Sequence, residues 1–566
     1  MQTLRIAATI GLAAAGTIAQ SPLYSDFGVN SVDKMGYSTR CAGDVNADGY
    51  VDLIYSAPFT DTFGRDKNGI VRVISGMDGS LLYQFDGPRT GDEYGYAVDG
   101  IGDMDGDGHS EFLITVLIGQ QTFAGAAEVR SGATGSILYE LTNTGSPGDP
   151  SAYDYMGISG CGVGDFDGDG RPDWAVGTPA QDVAPLNNNG TVHVMSGGTP
   201  IVILEGDQGG EEFGWWVNPA GDVDADGYAD LIVGSPKYDG PNGPDAGRAR
   251  VFSGRTHQVL HVFDGATPGS RLGWCVGGGF DVDADGHDDV VVGAHLDDTN
   301  GTDTGLVRVY SGATGALLYQ FLGTDPSDHL GWSVALVGDI DGDGHSEIAA
   351  GAYMRTNAHG AAAGTLYVWS GADGSLLHSF DGATPGAQMG FAVGAAGDID
   401  RDGYADLILG AAFDGRPGTD AGVMEVYSFG GTGQPPVLWG RGKPCLGSNG
   451  LFPRLGVRGR PAVDNTFTIT LRGAPAGAPA LLNLGDSRDI DLTPFGAPGC
   501  AAYSDPNGIN TGANADANGA ASVPIPLPND PALVGLRLDF QWFLVDLPAN
   551  TLGFTASQAA AITFGQ

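Results

Sequence analysis

Basic residues are scarce in this chain. Lys and Arg together number 26 against 68 Asp and Glu, a formal net charge of −42. No basic face is available to neutralise phosphates, which argues against nucleic acid as a partner. Cysteine is scarce as well, five in 566 residues, too few for a disulfide-built scaffold. After the leader no apolar run reaches 18 residues, so no membrane-spanning helix is expected. No helix-period pattern persists. HExxH, GxSxG, a Cys-His pair and a P-loop are all missing, which leaves no catalytic constellation to build on and points away from an enzyme. Glycine, by contrast, accounts for 96 residues, as expected of β structure with many tight turns.

The acids are unevenly placed. Residues 1–436 hold 59 acids and 18 bases, whereas residues 437–566 hold nine and eight. Much of the excess sits in a nine-residue pattern, D-x-[DN]-x-D-G-x-x-[DE], that occurs seven times. Position 1 is Asp44, Asp103, Asp165, Asp222, Asp281, Asp339 and Asp398. Position 3 is Asn46, Asp105, Asp167, Asp224, Asp283, Asp341 and Asp400. Position 5 is Asp48, Asp107, Asp169, Asp226, Asp285, Asp343 and Asp402. Position 9 is Asp52, Glu111, Asp173, Asp230, Asp289, Glu347 and Asp406.

This pattern suits calcium, a hard cation that takes six to eight oxygen ligands. Alternate carboxylates wrap one ion, and the glycine at position 6 allows the sharp turn. Position 7 (Tyr50, His109, Arg171, Tyr228, His287, His345, Tyr404) varies freely, as expected if only its carbonyl binds; its three histidines are expected to point outward. An EF-hand closes with Glu at position 12 between helices. Here the closing acid is at 9 and a strand-like run follows, such as Leu231-Ile232-Val233. The loops therefore belong to β-hairpins. A single acidic turn of this kind often binds nothing, but seven complete copies favour up to seven calcium ions. Magnesium demands a tighter octahedron and keeps its waters.

The loops begin 59, 62, 57, 59, 58 and 59 residues apart. A fixed period of this size marks a solenoid or a propeller. Each unit opens with an apolar or aromatic residue and Gly, from Met35-Gly36 to Met389-Gly390, and reads as four short strands with turns between them. That is one propeller blade. The N-terminal stretch Leu23–Gly28 reads like a fourth strand, and the seventh unit lacks one after Val423–Ser428. The N-terminal strand is therefore expected to complete blade 7 and close the ring. Blade 4 is expected to receive an irregular fourth strand at Pro200–Leu204. Blade 2 departs at Thr115-Val116-Leu117, and blade 5 has Phe280 where the others have Gly.

Phe213-Gly214, the loop Asp222–Asp230 and Gly234-Ser235-Pro236, recurring in order, resemble the FG-GAP repeat of integrin α-subunit head domains. Similar propellers occur in secreted bacterial proteins. The resemblance covers about residues 22–430 and implies a seven-bladed β-propeller with its calcium loops on one face.

The residue after each opening Gly is Tyr37, Tyr96, Ile158, Trp215, Trp274, Trp332 and Phe391. In a propeller these occupy equivalent places on the innermost strands. They either pack between blades or ring one mouth of the channel, where aromatic faces stack on sugars or hold a basic side chain. The resemblance implies the second use, since integrins carry a similar aromatic cage that receives a partner's basic residue.

Residues 1–19 read as a secretory signal peptide: Arg5, the apolar run Ile6–Ala15, then small Thr17 and Ala19. The mature chain is expected to be secreted, on the cell surface or periplasmic, and monomeric. The propeller is assigned to residues 20–430. Residues 431–436 form a linker, and 437–566 form a β-sandwich-like domain with Pro/Gly turns. In an exported chain Cys445 and Cys500 are expected to form a disulfide. Cys41, Cys161 and Cys275 read as small buried residues, and the sequons at Asn189 and Asn300 as turns. The expected function is an extracellular interaction or adhesion module binding a protein or glycan. The alternatives are a calcium-dependent lectin and, further off, a secreted hydrolase or lyase.

Overall fold

The structure is a computed structural model. It describes residues 22–429, except 29, 31, 63, 118–124, 144–153, 402 and 417–418, and scattered strands from 437 to 563. The leader, the linker, Asp402, Cys445 and Cys500 lie outside the described residues. Among the described residues there is no helix, hence none long and apolar enough to cross a membrane.

Seven four-stranded antiparallel sheets form seven blades. In the first blade the strands are Thr39–Gly43, Asp52–Ala57, Ile70–Ile74 and Leu81–Asp86, from innermost to outermost. The nine-residue loop is the turn from the innermost strand to the second. Just before it the register shifts at a left-handed glycine, such as Gly221 (φ 78°) beside Asp230. Blade 5 has Phe280 at that place and moves the left-handed residue back one position, to Gly279 (φ 87°). The opening glycines are equally constrained. Gly214 has φ 87°, and a Cβ there would lie 2.7 Å from the Thr191 carbonyl oxygen.

The second strands are buried on both faces. Leu231, Ile232 and Val233 are all fully enclosed, which explains why these strands read as unbroken apolar runs rather than alternating ones. Each such side chain contributes about 1.5–3 kcal/mol on burial. Among the described residues the apolar core of the propeller forms seven clusters, one at each junction of neighbouring blades. Position 2 of every loop plugs into these clusters: Val45, Met104, Phe166, Val223, Val282, Ile340 and Ile399 are buried. The loops are thus anchored from below by one apolar side chain each.

The ring closes with the N-terminal strand. Tyr24–Phe27 pairs antiparallel with Val423–Tyr427, matching Tyr24 with Val426 and Phe27 with Val423. Tyr24 lies in the cluster joining blades 7 and 1, and its hydroxyl donates to the Gly76 carbonyl at 2.9 Å. Asp26 accepts from the Tyr55 hydroxyl and from Arg72 Nη1, both at 2.6 Å. One expectation is corrected here. The strand around Pro200–Leu204 spans Thr199–Glu205 and is the outermost strand of blade 3, paired with Thr191–Ser196, not part of blade 4. A two-residue connection at Gly197-Gly198 leaves no room for it to reach another blade.

Beyond the linker the described strands are all antiparallel. One sheet runs Val437–Arg441, Ala559–Thr563, Arg537–Val545, Pro479–Gly485 and Ile509–Asn514, in that order. A second holds Arg454–Arg458, Thr466–Arg472 and Ala521–Pro526.

Candidate metal loops and central cavity

Each loop is wound around its own acids. In blade 4, Asp222 accepts the backbone N–H of Asp226 at 3.0 Å and of Gly227 at 2.9 Å, while Asp226 accepts that of Tyr228 at 3.0 Å. Gly227 takes φ 88° to make this turn. The same pattern holds in blade 1, from Asp44 to Gly49 and from Asp48 to Tyr50. Oxygens converge as a result. Asp339, Asp341, Asp343 and Glu347 bring one oxygen each within 4.8 Å of one another. So do Asp103, Asp105 and Glu111; Asp165, Asp167 and Asp173; Asp222, Asp224 and Asp230; and Asp281, Asp283 and Asp285. These donor sets are all oxygen, the chemistry of a hard divalent cation.

The acid at position 9 has a second role that its place in the motif does not reveal. In all seven blades it is fully buried. One oxygen of Asp230 accepts the Val223 N–H at 2.9 Å and the other accepts the Gly254 N–H at 3.0 Å. Asp52 does the same with Val45 and Gly76, and Asp289 with Val282 and Gly312. This ties the loop to the Ser-Gly turn that ends the third strand of its own blade. Burial pushes the Asp52, Asp230 and Asp289 carboxyls up to about 7 and that of Glu347 up to about 8.

Position 7 does not point outward, which corrects the expectation for its histidines. His109 Nδ1 lies 2.8 Å from the Val45 carbonyl, His287 Nδ1 2.9 Å from that of Val223, and His345 Nδ1 2.7 Å from that of Val282. In each case the acceptor is position 2 of the preceding blade's loop. Arg171 reaches the Met104 carbonyl, and Tyr228 and Tyr404 lie over Gly168 and Gly342. Tyr50 meets Arg401 of the blade 7 loop, with the guanidinium 4.0 Å from its ring centre. Every position 7 side chain therefore touches the loop before it, and the seven loops form one linked ring. The residue type varies because several chemistries can make the same reach.

The residues following the opening glycines come together around one central cavity of about 310 Å³. Ring centres lie 5.1 Å apart for Tyr37 and Tyr96, 5.0 Å for Tyr37 and Phe391, and 5.5 Å for Phe391 and Trp332. Trp332 and Trp274 are separated by 5.1 Å, and Trp274 and Trp215 by 4.9 Å. Ile158 fills the remaining place. All seven are half-buried. They pack against one another rather than deep between blades. A second layer supports them: Phe59, Phe413 and Tyr353 touch the ring, and His295 lies 4.3 Å from Trp274. Burial pushes the His295 imidazole down to about 3, so it stays neutral at ordinary pH.

Two features at this mouth were missed in the sequence. The residue three places before each ring member (Lys34, Glu93, Tyr155, Glu212, Arg271, His329, Gln388) is left-handed, with φ between 48° and 57°. Left-handed backbone away from Gly costs roughly 1–2 kcal/mol per residue, and here it recurs in a circle of varied polar side chains. Lys34 Nζ sits over Phe59 and Phe413, 4.3 and 4.4 Å from their ring centres. The second feature is Arg40, three places after Tyr37, which lines the cavity. Aligning the seven units would have exposed both.

The cysteines before the loops are free thiols. Burial pushes Cys41 up to about 11 and Cys275 up to about 12, so they behave as inert packing groups. Asn189 is buried, its amide donating to the Gly206 carbonyl at 2.8 Å. Asn300 is exposed but likewise donates to the Gly323 carbonyl at 2.8 Å.

Comparison with known proteins finds a repeat family in the propeller. The FG-GAP repeat matches residues 39–74, 156–195, 213–252 and 330–369, in blades 1, 3, 4 and 6. The chain carries FG-GAP repeats in four of its seven propeller blades and is homologous to the N-terminal domains of integrin alpha subunits. It is 31% identical over 264 residues to integrin alpha-IIb of Homo sapiens, covering 44% of this chain and 24% of that protein. It is 29% identical over 209 residues to integrin alpha-4 of Xenopus laevis, covering 32% and 20%. Against integrin alpha-PS2 of Drosophila melanogaster the identity is 30% over 237 residues, covering 38% and 16%. The chain thus spans a quarter or less of the length of these relatives.

Proposed function

We propose that this chain is an exported interaction module, a calcium-braced propeller that binds its partner through the aromatic-ringed mouth. Each loop takes one calcium ion, up to seven in all. Positions 1, 3, 5 and 9 supply side-chain oxygens and position 7 supplies its carbonyl. The ions neutralise carboxylates that otherwise crowd one another and stiffen the linked ring beneath the mouth. An ion held 1,000-fold above its dissociation constant stabilises the fold by about 4 kcal/mol.

The observation that carries the reading is the convergence of seven half-buried, mostly aromatic side chains on one cavity. A propeller core does not need such a surface, and large aromatic faces left open to solvent mark binding sites. The partner is an extracellular protein or a glycan, and the role is binding rather than catalysis. The contiguous indoles of Trp215, Trp274 and Trp332 favour a second reading, a calcium-dependent lectin, because indole faces stack on sugar rings. The N-terminal leader exports the chain, the propeller acts as a monomer, and residues 437–566 form a separate β-sandwich-like domain closed by a Cys445–Cys500 disulfide.

A glycan and matrix-protein array probed with the mature chain, in calcium and then in EGTA, tests this function. Calcium-dependent capture by a protein supports the module, and capture by one sugar class supports the lectin. A chain captured by nothing, with its calcium-dependent melt intact, contradicts both.

A further inference from the structure

Among the described residues that line the cavity inside the aromatic ring, Arg40 is the only charged one. Its Nη1 donates to two neutral acceptors, the Thr39 carbonyl at 2.9 Å and the Val393 carbonyl at 3.1 Å. Those bonds fix the guanidinium against the blade 7 wall. Nε and Nη2 make no hydrogen bond among the described residues, and no carboxylate lies within ion-pair distance.

The carboxylate at the same register of the next blade, Asp99, interacts electrostatically with Arg40 but makes no ion pair with it, and its oxygens are held by backbone. It accepts the Gly162 N–H at 3.2 Å and the Gly100 N–H at 3.0 Å. Burial pushes its carboxyl up to about 7 in spite of Arg40, so it is a weak counter-charge. Two cavity hydroxyls are also committed: Ser159 Oγ donates to the Gly214 carbonyl and Ser333 Oγ to that of Gly390. What remains open to a ligand is a set of ring faces, one guanidinium edge and the Ser38 hydroxyl, which accepts the Val98 N–H at 3.3 Å.

We propose that this cavity binds a small organic anion, with a flat apolar body between the aromatic rings and a carboxylate on Nε and Nη2 of Arg40. This rests on the reading of the mouth as the binding surface and adds the charge of what it takes. Aromatic faces alone would attract a cation, but a guanidinium fixed inside so small a cavity repels one. A guanidinium edge matches a carboxylate in two parallel hydrogen bonds, and a cavity of about 300 Å³ is at the small end of ligand pockets.

The test uses the full mature chain in calcium and three probes of one shape: 2-naphthoate, 2-naphthamide and 2-naphthylmethylamine. Binding is read by calorimetry and by quenching of tryptophan emission. The acid should bind at least tenfold more tightly than the amide, and the amine more weakly still. Raising salt should weaken the acid alone. Arg40→Gln should remove the preference for the acid and leave the amide unchanged, with Arg40→Lys retaining part of it. Should Arg40→Gln fail to fold, the salt dependence of the unmodified chain decides the matter. Equal affinity for acid and amide, or no binding of the acid, overturns the proposal. The reading of the mouth falls separately, if Trp274→Ala leaves every ligand found on the array still bound.

Discussion

Removing the side chain that seats the closing strand should loosen the whole ring. Tyr24 is 7% exposed. It packs with Met35, Leu53, Ile70 and Ile74 of blade 1 and with Ile408, Met424 and Val426 of blade 7. Its hydroxyl donates to the Gly76 carbonyl. Truncating a buried aromatic costs about 3–5 kcal/mol. The hydrogen bond is separable from the packing, because Tyr24→Phe leaves the Gly76 carbonyl unpaired at a cost of about 1–3 kcal/mol. For a propeller of roughly 400 residues the unfolding entropy is about 0.8 kcal/mol/K. Tyr24→Ala should therefore lower the melting temperature by about 5 °C, and Tyr24→Phe by about 1–4 °C. Deleting residues 20–28 should lower it further, since the Asp26 contacts to Tyr55 and Arg72 go too. Calorimetric melts in saturating calcium check this. A deletion that melts with the full chain would show that the N-terminal strand does not close the ring.

Three further outcomes follow from the loops. Asp230→Ala should destabilise the chain in EGTA as well as in calcium, because it uncaps the Val223 and Gly254 N–H groups; Asp224→Ala, at an exposed position, should lower the melt only in calcium. His345→Ala should cost about 1 kcal/mol through its bond to the Val282 carbonyl, and calcium titration of this variant should be less cooperative. The pH dependence should reverse with metal. Folded carboxyls near 7, against about 4 when unfolded, mean that the metal-free fold holds more protons than the unfolded chain. The contribution of these carboxyls to its stability is complete below about pH 4 and is lost as pH rises through about 7. With calcium the ionised form is the bound form, so stability should rise over the same interval and loading should release protons. Melts at pH 5.5 and 8, with and without EGTA, read both signs.

The loops, the period and the strand count per blade were legible because each repeats in sequence. Ring closure was legible from Leu23–Gly28, which copies an outer strand without a unit of its own. The hidden part lies between repeats. Nothing inside a single loop shows that His345 bonds to Val282 one blade back. Position 9 reads as a ligand alone, since its bond to Gly254 depends on a turn more than twenty residues later. Arg40 stands out only when the seven inner strands are set side by side. The outer strand Thr199–Glu205 was misplaced because Gly197-Gly198 shortens its turn, and so the spacing no longer resembled the other blades.

The central claim is that the aromatic mouth is the binding surface of a calcium-braced propeller. The most direct measurement puts the mature chain and its Trp274→Ala/Trp332→Ala variant side by side on the same glycan and matrix-protein array in calcium, with melts recorded for both. Both half-buried indoles face the cavity, so the variant should melt within a few degrees of the parent and lose its capture. Capture that survives both substitutions in a folded variant would place binding elsewhere on the chain and contradict the account.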